Sequence, residues 1–66
     1  MVHVSIKVAS VPAGEKLRFP ADIEYIDVPF SEADVKTAEL RDKVCTEFME
    51  TWARENSRTV AWWKIV

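Results

Sequence analysis

The chain has one cysteine, one histidine and one glycine, and each scarcity excludes something. Cys45 alone cannot form an intrachain disulfide. A zinc cage draws four ligands, mostly Cys and His, from short spacings, and His3 stands far from Cys45 in sequence. A hydrolytic triad needs a histidine base, and His3 is expected to be a solvent-facing residue of an N-terminal strand. Gly14 alone cannot build a glycine-rich phosphate loop. No apolar run approaches the ~20 residues of a membrane span. The segment Met1–Lys7 alternates apolar and polar, unlike the basic region and continuous apolar stretch of a signal peptide. The expectation is a non-enzymatic protein with no catalytic residue, no cofactor and no metal site. An unpaired cysteine on an apolar face fits a reducing compartment, so a cytoplasmic location is expected.

What remains is short and mixed. Sixty-six residues, 48% hydrophobic and 30% charged, form one globular domain, residues 1–66, rather than a disordered chain. A chain of this size buries only about 60% of its unfolded surface. Its core supplies about 3–5 kcal/mol, so regular packing or a homodimer is expected. Eleven acids against nine bases give a net charge of −2, which works against non-specific nucleic-acid binding.

Val2, Val4, Ile6 and Val8 alternate with His3, Ser5, Lys7 and Ala9, the pattern of a half-buried strand. Val11–Gly14 breaks it, and a loop with locally alternating Leu17 and Phe19 follows. The second strand, Asp22–Val28, slips parity: Ile23 and Tyr25 share one face, Ile26, Val28 and Phe30 the other. A β-bulge near Tyr25 puts both groups inside; otherwise Ile23 and Tyr25 face outward and Glu24 turns in. Asp22, Glu24 and Asp27 are read as a solvated edge that deters edge-to-edge pairing rather than a cation site.

Ser31 is a natural N-cap with Asp34 at N3, and Phe30 with Val35 forms a hydrophobic staple. No Gly or Pro follows Pro29, so a single helix is predicted over about 31–56. Glu32–Lys36, Glu39–Lys43 and Glu50–Arg54 are i,i+4 pairs in the better orientation. Ala38, Cys45, Phe48, Met49 and Trp52 make its apolar face, and Leu40 and Val44 widen that face past the usual stripe. Arg41 lies inside the arc, where its head must snorkel or find a carboxylate. Glu39, Asp42, Glu47 and Glu50 form an acidic face on the opposite side, interrupted by Lys43.

The order is β-β-α-β. The predicted fold is α+β, a three-stranded mainly antiparallel sheet of order 2-1-3 with one long helix across one face. This layout resembles that of many small phage and bacterial regulatory proteins, a likeness of size and topology, which do not determine function.

The last strand holds adjacent Trp62 and Trp63, which must point to opposite faces. Either Ala61, Trp63 and Ile65 face the helix, or Val60, Trp62 and Val66 do. The first is favoured because the second turns Lys64 inward. Trp62 and Lys64 then lie on the open sheet face with Val60, beside Lys7, unless Leu17 and Phe19 cover them. The expected partner is another protein, for which this chain is a regulator or inhibitor. The contact residues would be Trp62, Lys64, Val60, Leu40 and Val44, or else the acidic helix face. The alternative is a single-stranded nucleic-acid binder using Lys7, Trp62 and Lys64. A homodimer is expected through the last strand's edge or the Leu40 and Val44 side.

Overall fold

The computed structural model describes residues 1–66. The chain runs β1 (Val2–Pro12), β2 (Asp22–Phe30), a 3-10 turn (Glu32–Val35), α1 (Ala38–Glu55) and β3 (Arg58–Ile65). The sheet has the order β2-β1-β3 and both pairings are antiparallel, so the predicted α+β architecture is the observed one. β1 is central because its apolar residues need cover from neighbours on both sides. Val4, Ile6 and Val8 are buried beneath Cys45 and Met49 of α1, with Val28 from β2. Ile26, Ile6 and Ile65 stand in one row across the three strands. Phe30 and Phe48 close one end edge to face, their centroids 6.4 Å apart.

The helix differs from the prediction. Ser31 makes no side-chain capping bond, and residues 32–35 form only a 3-10 turn. Thr37 breaks the run in an extended conformation (φ −124°, ψ 160°), and its Oγ1 accepts from the Leu40 N–H at 3.1 Å. Two competent caps six residues apart compete for one helix start. Thr37 caps the part that packs on the core, with Glu39 in the favourable first turn. The predicted i,i+4 ion pairs are absent, since the only salt bridges are His3–Asp27 and Arg58–Asp22. Exposed pairs contribute at most about 1 kcal/mol, too little to fix two long side chains. No helix is long and apolar enough to cross a membrane.

α1 ends without glycine. Asn56 caps it, its N–H and its Nδ2 both donating to the Trp52 carbonyl at 2.9 Å. Ser57 then takes a left-handed φ of 53° that a side chain disfavours. Replacing Ser57 by Gly should raise stability by about 0.5–1 kcal/mol, the relief of strain exceeding the added chain entropy. Urea unfolding checks this, and an unchanged or lower midpoint would show the turn to be unstrained.

The strand parities settle without a bulge in β2. Val28, Ile26 and Glu24 lie opposite Val4, Ile6 and Val8, so Ile23 and Tyr25 face outward. Glu24 does turn toward the helix side, yet it stays exposed, because α1 lies nearest β3 and leaves that corner open. The bulge falls in β3 instead. Ala9 pairs with Trp62 and Ser10 with Val60, so Ala61 is the extra residue. Val60 and Trp63 therefore both pack on the core, correcting the expectation that Val60 joins the open face.

At the far end of the sheet Arg58 ties three strands together. Its Nε donates to Ser10 Oγ at 3.0 Å, and an Nη donates to the Ser10 carbonyl at 3.2 Å and to Asp22 Oδ2 at 2.8 Å. Ser10, the one buried polar residue, is thereby satisfied. The Arg58 hydrogen bond holds the Asp22 carboxyl below its ordinary value of 3.8. A carboxyl depressed on folding adds stability above that ordinary value, and the gain is lost as pH falls through the folded value. Asp22→Asn should therefore lower stability at neutral pH, converge with wild type below about pH 4 and so flatten the acid limb of the stability curve. Circular dichroism across an acid titration measures this; an unaltered limb would remove Asp22 from the account.

Candidate functional site

The sheet face away from α1 is covered only at one end, where Ala21 of the β1–β2 connection packs on Ala9 and Val11. His3, Ser5 and Lys7 of β1 point there by strand alternation. Antiparallel register brings Tyr25 and Lys64 to either side of Lys7, and Ile23 and Trp62 to either side of Ala9. Lys7 Nζ lies 5.8 Å from the Tyr25 ring centroid and 5.9 Å from that of Trp62. One ammonium thus bridges two aromatic faces across all three strands. Tyr25 is 66% exposed, Ile23 48% and Trp62 39%. The loop does not shield them: Leu17 and Phe19 are themselves 52% and 77% exposed. Only Ala21 of this connection is buried, in a small cluster with Ala9 and Val11. The Phe19–Pro20 peptide within it is cis.

The charges on this face are uneven. Lys7 and Lys64 stand free of any salt bridge, whereas Asp27 is engaged by His3, whose Nδ1 lies 3.1 Å away. A basic, aromatic patch therefore sits on a chain of net charge −2. The acids lie elsewhere. Glu39, Asp42, Glu47 and Glu50 are all exposed on α1 and unpaired. Asp22 and Glu24 share the helix side of β2 and Asp27 the other, and no three His, Cys, Asp or Glu residues come together as a metal cage.

Of the residues singled out from the sequence, Trp62, Lys64 and Lys7 come together on the open face. Val60 does not: it packs on the core and lines a cleft of about 510 Å³ between α1 and the free edge of β3, with Met49, Ala53 and Trp63, and Trp62 borders the same cleft. Leu40 is exposed on α1 and Val44 is half-buried, on a separate surface. Tyr25 and Ile23 were missed as contact residues. The signal was their shared parity in β2, which fits outward placement as well as a bulge. Cys45 is buried and free, and burial pushes its thiol up, which keeps it protonated and unreactive at neutral pH.

Comparison with known proteins gives no relative: no family model, no curated protein and no solved structure matches the chain.

Proposed function

We propose that this chain is a non-enzymatic interaction protein, a small regulator or inhibitor that docks on a larger protein through its open sheet face. The observation that carries this reading is the exposure of Trp62, Tyr25 and Ile23 around Lys7 on the sheet face that the helix leaves free. Tryptophan and tyrosine are enriched among residues that dominate binding energy, and a rigid sheet presents them with little ordering cost. Aliphatic Ile23 offers a protein partner contact area and a nucleobase no stacking surface. The acidic residues of α1 are spread along a solvated helix and make a weaker docking surface. A reducing compartment, the cytoplasm, suits the single buried thiol. The test is a pull-down from nuclease-treated lysate of the native cells, wild type beside Trp62→Ala. A specific protein retained by the first and lost from the second supports the reading. Equal retention by both sinks it.

A second reading rests on the same lysine. Lys7 between two aromatic rings, with Lys64 adjacent, pairs stacking platforms with phosphate contacts, as a single-stranded nucleic-acid surface requires. It calls for quenching of tryptophan fluorescence by oligothymidylate that weakens steeply with salt. Absence of quenching at low salt removes it.

A further inference from the structure

β1 is paired on both sides, so the sheet has two free edges, one on β2 and one on β3. They are not alike. β2 carries Asp22, Glu24 and Asp27, and its Pro29 has no donor to offer a neighbour. Such residues deter pairing between sheets. Residues 59–65 of β3 include no proline and no acid, and Lys64 is their one charge. The Val66 N–H donates inward, to the Ser5 carbonyl at 2.9 Å. Strand alternation then turns the N–H and C=O of Trp63 and Ile65 outward, to the free edge, where no strand meets them.

The side chains along this edge are equally open. Val60, Ala61, Trp63 and Ile65 are apolar and only half-buried. The cleft of about 510 Å³ runs beside them, walled by Met49 and Ala53 of α1, and its one charged lining residue, Glu50, is exposed. A domain this small has much to gain from further apolar burial.

We infer that a second copy of the chain occupies this edge, paired antiparallel through β3 about a two-fold axis. Such an axis sets one residue opposite itself. Lys64 there opposes two like charges at close range. Trp62 there draws the Ala61 bulge into the centre of the ladder. Ile65 there leaves only the end of the strand overlapping. Trp63 there suits both faces. On the helix side the two Trp63 rings meet where the two clefts adjoin, and the half-open apolar edge is covered. On the other side Trp62 of each copy stands opposite Lys64 of the other. Lys64 has no carboxylate partner in its own chain, and this register gives it an aromatic one. The pairing also joins the two open faces into one continuous sheet, β2-β1-β3 extended by β3-β1-β2 of the second copy. It goes beyond the docking reading and does not depend on it.

The test uses the purified chain with no partner present. Sedimentation equilibrium from micromolar to millimolar concentration should show a mass rising from 7.6 kDa toward twice that value. Amide hydrogen exchange at the two ends of this range locates the contact: Trp63 and Ile65 should gain protection as the dimer forms. Lys64→Glu should weaken the dimer about tenfold, through loss of two symmetry-related cation–π contacts, and Lys64→Arg should preserve it. Circular dichroism checks that both variants stay folded. Trp62→Ala removes the other half of each contact, serves if Lys64→Glu fails to fold, and should weaken the dimer in the same sense. A mass that stays at one chain would overturn the inference, and capture of a partner by such a monomer would leave the docking reading standing alone. A dimer in which the Trp63 and Ile65 amides exchange as freely as in the dilute protein, or undiminished dimerisation by Lys64→Glu, would overturn it as well.

Discussion

Ile6→Ala should leave the chain about half unfolded, or worse, in water at 25 °C. Ile6 is fully buried at the centre of the sheet, in the row Ile26–Ile6–Ile65, beneath the helix. Removing a buried isoleucine to alanine costs about 2–5 kcal/mol, part lost transfer energy and part cavity. A domain of this size has only about 3–5 kcal/mol in total. The buried cluster around Ile6 has just six members, so few neighbours can close the gap. Ile6→Val removes one methylene, costs about 0.5–1.5 kcal/mol and should stay folded. Thermal unfolding separates the two. In a domain of 60–100 residues each kcal/mol moves Tm by about 4–8 °C, so Ile6→Val should melt measurably lower and Ile6→Ala should show little transition. A well-formed transition for Ile6→Ala within about 8 °C of wild type would mean that Ile6 does not anchor the fold.

The central position of β1 was legible because its alternation is the longest and cleanest in the chain. The sheet order follows from that and from the crossover through the helix. What was not legible depends on which element covers which residue. Ser31 and Thr37 are both good caps, and only the packing of Cys45 and Met49 on β1 decides between them. Turning Glu24 inward looked costly only under the assumption of a helix over every inward position; with α1 nearest β3 that corner is bare. The Ala61 bulge leaves no compositional trace, because Val60, Ala61, Trp62 and Trp63 are all apolar and no polar residue marks the slip. The Arg58 cluster left no local signal, since its partners lie 48 and 36 residues away and become neighbours only through strand register. The candidate site divides similarly. Trp62, Lys64 and Lys7 were found from parity within single strands, whereas Tyr25 and Ile23 required the pairing of two.

Trp62→Ala and Trp63→Ala should fail in opposite ways, though the residues are adjacent. Trp63 lies opposite Val8, half-buried and packed on the core cluster. Its loss should cost about 3 kcal/mol, the low end for a core tryptophan because part of the ring reaches solvent, and should nearly exhaust the stability of the domain. Trp62 lies opposite Ala9 on the other face of the sheet and is 39% exposed. Its truncation removes one face of the Lys7 aromatic bridge, an exposed interaction of about 0.5–1 kcal/mol, so the fold should persist with a slightly lower Tm. If the open face is the contact surface, the same change should weaken partner binding by about 2 kcal/mol or more, roughly 30-fold. Tyr25→Ala should weaken it in the same sense, and Lys64→Ala mainly by slowing association, as charges at the rim do. Circular dichroism and calorimetry on the four variants, followed by titration against the captured partner, resolve fold from contact. A folded Trp63→Ala protein beside an unfolded Trp62→Ala protein would reverse the assignment of the two faces and remove the open sheet as the docking surface.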